Sequence, residues 1–265
     1  MKCIRLIGAP TDCNSSYLRG PAKAPALVRA ALFSDMGNPA AESGAELGGD
    51  IMLIDSGDLA LTEGPGDDAL ISAATLAACA AGDVPLLIGG DHSVTFPAVA
   101  GVAAVHGPLT ILHFDAHPDL YDELGGNRRS HASPFARIME AGLATRLVQV
   151  GIRTLNAHQR EQAARFGVEI VTMRDFTAGM VPIPAAPLYV SIDLDGLDPA
   201  FAPGVSHHEP GGLSTRQLLD VLARITGPIV GGDIVEYNPD RDINGMTAAV
   251  AAKFVKELAG IAIRP

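Results

Sequence analysis

The hydrophobic positions of the chain fall into eight short runs, at residues 3–8, 51–55, 85–88, 109–114, 146–150, 168–171, 188–194 and 229–234. Most are continuous stretches of Val, Ile and Leu rather than alternating ones, which is the pattern of parallel strands buried on both faces. Between them lie longer Ala- and Leu-rich segments that read as helices over 25–33, 68–81, 134–141, 156–166 and 215–225. Ser214 followed by Gln217 has the spacing of a capping box opening the last of these. A final Ala-rich helix over 246–259 is expected to stop at Gly260, where glycine suits a left-handed cap. Strands interleaved with helices predict one α/β domain over residues 1–265, built on a mostly parallel eight-stranded sheet. A closed barrel fits the same alternation. In either architecture ligands bind beyond the carboxyl ends of the strands, so the polar residues that follow each run are where chemistry is sought.

Three strand ends carry such residues. Gly89-Gly90-Asp91-His92-Ser93 follows the third run and Asp115-Ala116-His117-Pro118-Asp119 the fourth, while the seventh leads into Ser191-Ile192-Asp193-Leu194-Asp195-Gly196-Leu197-Asp198-Pro199. Asp115, His117 and Asp119 recur at every second position, which on an extended backbone puts them on one face. Asp193 and Asp195 repeat that spacing. His92, Asp115, His117, Asp119, Asp193 and Asp195 would thus converge at one edge of the sheet. Four carboxylates packed together raise one another's pKa unless positive charge lies among them. Divalent cations supply that charge. Mixed oxygen and imidazole donors without thiolate suit Mn²⁺, with Zn²⁺, Fe²⁺ or Co²⁺ as other occupants, and the ligand number fits a two-metal site that can ionise water near neutral pH. A lone Gly-Gly-Asp-His is ordinarily a turn and a lone Asp-x-Asp is common by chance. The coincidence of three such clusters, each after an apolar run, is what argues against a purely structural role.

Composition narrows the remaining classes. Asp and Glu number 30 against 19 Lys and Arg, a formal net charge of −11, which excludes the clustered basic footprint of a nucleic-acid binder. A chain of 265 residues with 48 % hydrophobic content can bury a core that needs no disulfide or metal merely to fold. Gly89-Gly90 is followed by neither a GxGxxG nor a GK[ST] pattern, so nucleotide binding is disfavoured. Cys3, Cys13 and Cys79 form no CxxC pair and fit reducing surroundings. The first apolar stretch is broken by Arg5 and is too brief for a signal-peptide core, and no run reaches the roughly 18 apolar residues of a membrane span. A cytoplasmic protein without nucleic-acid or membrane partners is expected.

At the three motifs the sequence strongly resembles the ureohydrolase family of arginases and agmatinases. The resemblance continues through residues 130–137, 204–214 and 232–239. It is weaker before about residue 85, where Gly20-Pro21 and Arg29 match the family's first loop and helix. The stretch 206–214 is most similar to plant-type arginases and their bacterial relatives. This resemblance implies an open, mostly parallel eight-stranded sheet with helices on both faces rather than a barrel. It also implies two Mn²⁺ per subunit held by His92, Asp115, His117, Asp119, Asp193 and Asp195. By the same resemblance His131 ferries protons beside the substrate, Glu236 pairs with the substrate guanidinium, and His207 lies near it; an imidazole with pKa near about 6.5 is suited to the first task. Asp119 is the natural carrier of a proton from nucleophile to leaving nitrogen. Asp91, Asp198 and Asp233 either orient ligands or serve as turns and caps, and His113 reads as a core or ligand-orienting imidazole.

The implied reaction is hydrolysis of a small cationic guanidino compound, first of all L-arginine to L-ornithine and urea. The alternatives are an agmatinase or guanidino-acid hydrolase acting on a compound such as 4-guanidinobutyrate, and a non-catalytic metal-binding module. Residues 120–129 are expected to contact the substrate's tail, with Arg128 or Arg129 offering a partner to a substrate carboxylate. Asn156 stands where an acid recognising an α-ammonium would be expected. The family further implies a homo-oligomer, a trimer or hexamer.

Overall fold

The computed structural model describes residues 3–264, so the first two residues and the last of the expected domain lie outside it. Its strands are β1 (Cys3–Gly8), β2 (Met52–Asp58), β3 (Val84–Ile88), β4 (Leu109–Phe114), β5 (Ala144–Ile152), β6 (Glu169–Thr172), β7 (Leu188–Asp193) and β8 (Ile229–Val235). They form one sheet in the order β2-β1-β3-β8-β7-β4-β5-β6. Every pairing in it is parallel. Because β2 and β6 are free edges, the sheet is open and the barrel alternative falls.

The continuous apolar runs follow from burial on two sides. Leu86, Ile88, Val190 and Ile192 face a layer formed with α1 (Ala24–Leu32), α6 (Thr215–Ala223) and α7 (Met246–Ala262). Leu87, Ile111, Leu147 and Tyr189 face the opposite layer, formed with α2 (Asp67–Ala80), α3 (Thr95–His106), α4 (Pro134–Glu140) and α5 (Ala157–Phe166). Among the described residues no helix is long and apolar enough to cross a membrane. The expected capping box is present, with Ser214 Oγ accepting from Gln217 N at 3.1 Å and Gln217 Oε1 accepting from Ser214 N at 2.8 Å.

Two elements depart from expectation. The hydrophobic pattern does not predict helix α3, because it is apolar around most of its circumference and offers no periodic stripe. Pro97 weighs against a helix in sequence, yet it sits in the first turn, where its missing N–H has no intrahelical partner to lose. Helix α7 runs through Gly260 to Ala262 instead of ending there. Leu258, Ala259, Ile261 and Ala262 are all buried, and that packing outweighs the roughly 1 kcal/mol by which glycine disfavours a helix.

The register positions the site. Ile88 of β3 pairs with Ile234 of β8, Ile192 of β7 with the same Ile234, and Phe114 of β4 with Ile192. The carboxyl ends of four adjacent central strands are therefore level, and the residues that follow them emerge side by side.

One packing contact gives a direct test of this frame. A Cβ at Gly101 of α3 would lie 2.1 Å from Thr75 Oγ1 and 2.3 Å from the Ser72 carbonyl of α2. Gly101→Ala must push the two helices apart, and overpacking of this kind costs about 1–3 kcal/mol. The expected result is a lowered urea midpoint with an unchanged m-value; an unaltered midpoint would show that the contact is not as close as described.

Candidate metal centre and active site

The six residues expected to bind metal meet at these strand ends. His92 Nδ1 lies 3.0 Å from Asp119 Oδ2, 3.1 Å from Asp193 Oδ2 and 3.3 Å from Asp115 Oδ2. His117 Nδ1 lies 3.2 Å from Asp195 Oδ2 and 3.3 Å from Asp115 Oδ1. Asp115 thus offers one oxygen to each half of the cluster. In each half, His92 with Asp115, Asp119 and Asp193, and His117 with Asp115 and Asp195, the donor atoms lie within 4.8 Å of one another. Gly196 lets the β7 end close on β4, since a Cβ there would meet Asp115 N at 2.8 Å. Backbone amides shape the carboxylates: His117 N donates to Asp115 Oδ1 at 2.6 Å, Asp195 N to Asp193 Oδ1 at 2.8 Å, and Ala116 N to Asp195 Oδ1 at 3.2 Å.

The electrostatics of the cluster ask for cations. Burial pushes the Asp193 carboxyl well above its ordinary range, and Asp195 and Asp115 push it further. Asp195 is raised to about 6, chiefly by burial, with His117 opposing and Asp115 adding to the shift. Burial alone would lower the pKa of His92, but Asp115, Asp119 and Asp193 reverse this and hold it well above the imidazole range. His92 Nδ1 is nevertheless buried without a hydrogen bond, although three carboxylate oxygens surround it. A buried ring nitrogen encircled by carboxylate oxygens that it does not bond is the arrangement of a metal ligand, and the mixed oxygen and imidazole donors fit a hard divalent ion.

Neighbouring groups fix the ligands in orientation. His92 Nε2 meets Ser191 Oγ at 3.1 Å, and Ser191 Oγ donates to Asp233 Oδ1 at 2.6 Å. The other Asp233 oxygen accepts from Tyr189 OH at 2.7 Å and Thr95 Oγ1 at 2.9 Å. Asp233 is therefore the buried anchor of a chain that sets the His92 ring. His113 Nε2 lies 2.9 Å from Asp115 Oδ2, and its Nδ1 lies 3.1 Å from Gln149 Nε2. Since Gln149 donates there, the proton of His113 belongs on Nε2, and the ring orients Asp115 rather than ligating. Asp91 accepts from Asn14 N at 2.9 Å and from Ser93 N at 3.0 Å, tying the first loop to β3. Asp198 accepts from the amides of Ala200, Gly211 and Gly212, so it braces a loop and touches no ligand side chain.

A pocket of about 200 Å³ opens over the cluster, reached by His117, Asp119, Asp193 and Asp195 from below and by His131 and His207 from the side. His131 Nδ1 lies 2.9 Å from Glu236 Oε1 and its Nε2 lies 2.8 Å from Ser16 Oγ. Burial would lower the pKa of His131, but the Glu236 carboxylate raises it to about 9. Glu236 is 2 % exposed and stands behind His131, where its Oε1 also accepts from His92 N at 2.9 Å. No described residue donates to its Oε2. Asp119 and Glu236 both have positive φ, 50° and 63°, a conformation that costs a non-glycine residue about 1–2 kcal/mol. Strain at a pocket-lining residue and at the carboxylate behind His131 is typical of a functional site.

The expected tail contacts are only partly realised. Tyr121 and Leu124 line the pocket, but Arg128 pairs with Glu140 at 3.0 Å and Arg129 with Asp68 through two bonds of 2.6 and 2.7 Å. Neither arginine lines the pocket, so the expectation that one meets a substrate carboxylate is corrected: both are held by acids elsewhere. Asn156 caps α5, accepting from Gln159 N at 2.9 Å. Ser16, Thr154, Gln159 and Glu209 line the pocket without having been singled out in sequence. They stand on separate loops and helices with no shared spacing, so only the tertiary fold reveals them.

Comparison with known proteins supplies the family. The model of the arginase family matches residues 2–260. Arginase 1, mitochondrial, of Arabidopsis thaliana is 48 % identical over 271 residues, covering 96 % of this chain and 79 % of the relative. Arginase 2, chloroplastic/mitochondrial, of the same plant is 49 % identical with the same coverage. The solved arginase of Medicago truncatula superposes with a TM-score of 0.93 at 44 % identity, covering 98 % of this chain and 87 % of that one. These relatives overturn the cytoplasmic expectation, since they are named as organellar proteins. Unpaired cysteines report reducing conditions, which an organelle interior can share with the cytosol, so they could not distinguish the compartments. Matched by the family model over almost its whole length and nearly half identical to plant arginases, the chain belongs to the arginase family of hydrolases.

Proposed function

We propose that the protein is a manganese-dependent arginase that hydrolyses L-arginine to L-ornithine and urea. The observation that carries this reading is the two-part cluster sharing Asp115 beneath a pocket walled by His131, in a chain so similar to proteins named arginase. His92, Asp115, Asp119 and Asp193 would hold one Mn²⁺, and Asp115, His117 and Asp195 the other. Bound there, the cations supply the Lewis acidity that makes water a nucleophile near neutral pH, where a bound ion can bring its pKa toward about 7.

The protein's own groups do the rest. A guanidinium has a pKa above about 12 and delocalised charge, so it is held as a cation rather than deprotonated. Glu236 Oε2 is the carboxylate oxygen without a donor, and it is the one offered to the guanidinium through a charge-assisted bond. Addition of water to the guanidinium carbon yields a tetrahedral centre, which expels an amine only once the leaving nitrogen is protonated. Asp119, which lines the pocket, takes the proton lost by the attacking water and delivers it to that nitrogen. His131, bonded to Glu236 on one side and Ser16 on the other, exchanges protons between the departing amine and solvent.

Urea release from L-arginine by the Mn²⁺-loaded protein is the primary test; no urea with metal demonstrably bound would defeat the proposal. Asp119→Asn is expected to abolish turnover while retaining some metal. Asparagine tolerates the positive φ at this position, so the loss would report chemistry rather than misfolding. Full activity in that variant would remove Asp119 from the proton path. Ser191→Ala cuts the link between His92 and Asp233, and disruption of such ligand-orienting bonds weakens metal affinity by about 10–100-fold. Calorimetric titration with Mn²⁺ measures this, and an unchanged affinity would show that the chain of hydrogen bonds does not set the ring.

A further inference from the structure

We propose that Glu209 selects the substrate by its tail, accepting a primary ammonium at the end of the alkyl chain remote from the guanidinium. This rests on the hydrolase reading above and deepens it. Four acids line the pocket: Asp119, Asp193, Asp195 and Glu209. The first three converge on His92 or His117, whereas Glu209 stands at the mouth with its side chain 39 % exposed. Its Oε1 is 3.9 Å from His117 Nε2, too far for a hydrogen bond, so the carboxylate is not committed to that ring. Nε2 is the side of the imidazole opposite Nδ1, which faces Asp115 and Asp195. Glu209 therefore approaches the Nε2 edge of the His117 ring, away from the edge that faces the carboxylate cluster.

Its position is also fixed in advance. Arg153 donates to the Glu209 carbonyl from Nε at 2.9 Å and Nη2 at 2.6 Å. The same guanidinium donates to the carbonyls of Asp195 at 2.7 Å and Gly196 at 3.2 Å, which ties the Glu209 loop to the ligand segment. Asp198 holds the following glycines, Gly211 and Gly212, at 2.7 and 3.2 Å. With the loop backbone held in this way, only the Glu209 side chain has to be ordered when a ligand arrives.

The charge inventory decides the sign of the tail. Among the described residues lining the pocket there is no lysine or arginine. Arg128, Arg129 and Arg153 are engaged with Glu140, with Asp68 and with backbone carbonyls. Asn156 is neutral and lends its Nδ2 to Tyr121 OH at 2.5 Å. A tail carboxylate would find no lysine or arginine and would meet Glu209 as a like charge, whereas an ammonium finds a carboxylate. The geometry favours L-arginine and agmatine over 4-guanidinobutyrate.

The test compares Glu209→Gln, which keeps size and removes charge, with wild type. KM for L-arginine and for agmatine should rise about tenfold, the loss expected of a hydrogen bond between charged groups, with kcat little changed. KM for 4-guanidinobutyrate should stay the same or fall. In calorimetry on the Mn²⁺-loaded protein, L-ornithine and 1,4-diaminobutane should bind the variant about tenfold more weakly, while its metal content stays at the wild-type level. An equal KM change for all three substrates overturns the proposal, as does unaltered binding of both amines. Loss of bound manganese would overturn it too, because Glu209 would then be acting through His117. If wild-type protein releases no urea from any substrate, the hydrolase reading falls by itself, and the amine titrations still decide the role of Glu209.

Discussion

Four carboxylates, Asp115, Asp119, Asp193 and Asp195, meet in one cluster where none is more than 5 % exposed, and the structure around them is organised by their repulsion. Two unit charges about 4 Å apart interact by about 4 kcal/mol at an effective dielectric constant of about 20, so several such pairs rival the whole stability of a domain. The chain's own response is visible but incomplete. Backbone amides of Ala116, His117 and Asp195 donate into the group, and His92 and His117 are held toward their charged forms. Even so, burial pushes Asp193 and Asp195 toward their neutral forms, so two imidazolium charges do not satisfy four acids. A divalent ion concentrates more positive charge among them, and the mixed oxygen and imidazole donors fit one.

Such a cluster can be assembled only on a frame that does not yield to it. Three strands contribute to it, β3, β7 and β4, and with β8, which carries the supporting Asp233, they are neighbours in the middle of the sheet, with apolar layers covering both faces. Their level carboxyl ends bring residues from separate parts of the chain within hydrogen-bonding range without long side chains. That suits aspartate, whose short stem loses little rotamer freedom on burial. The ordering of β3 beside β8 and of β8 beside β7, where Ser191 pairs with Asp233, also explains how Asp233, remote in sequence from His92, comes to anchor it through Ser191.

The strands and their terminal motifs were readable in the sequence because parallel strands buried on two faces leave uninterrupted apolar runs. β1 and β4 begin and end where those runs do. The convergence of Asp115, His117 and Asp119 was also readable, although not for the reason their spacing suggests. Asp119 reaches His92 through a left-handed backbone turn, and Asp195 sits in a tight turn beyond β7 rather than on an extended strand. Alternation identified the right residues, and loop geometry did the aiming. Helix α3 was hidden because apolar residues around most of its circumference erase periodicity. The tail pocket was hidden more deeply. Whether Arg129 is available to a substrate depends on Asp68, 61 positions away, and no local pattern records that pairing.

These differences in legibility reflect two kinds of construction in one site. The reacting end is built from residues immediately following central strands, with Asp119 and Glu236 held in strained conformations that the sheet over-determines. Moving any of them would disturb the register of neighbouring strands, so this end has little freedom to vary without loss of the fold. The tail end is built from loops, above all the segment that Arg153 ties to the carbonyls of Asp195 and Gly196 through main-chain bonds. Main-chain bonds do not depend on which side chain the loop carries. A substitution at Glu209 can therefore change the side chain offered to the pocket while Arg153 keeps the loop's course, and the carboxylate cluster beneath keeps its geometry. By this separation one scaffold can hold its hydrolytic chemistry constant while the choice of guanidino substrate is set by a few loop residues.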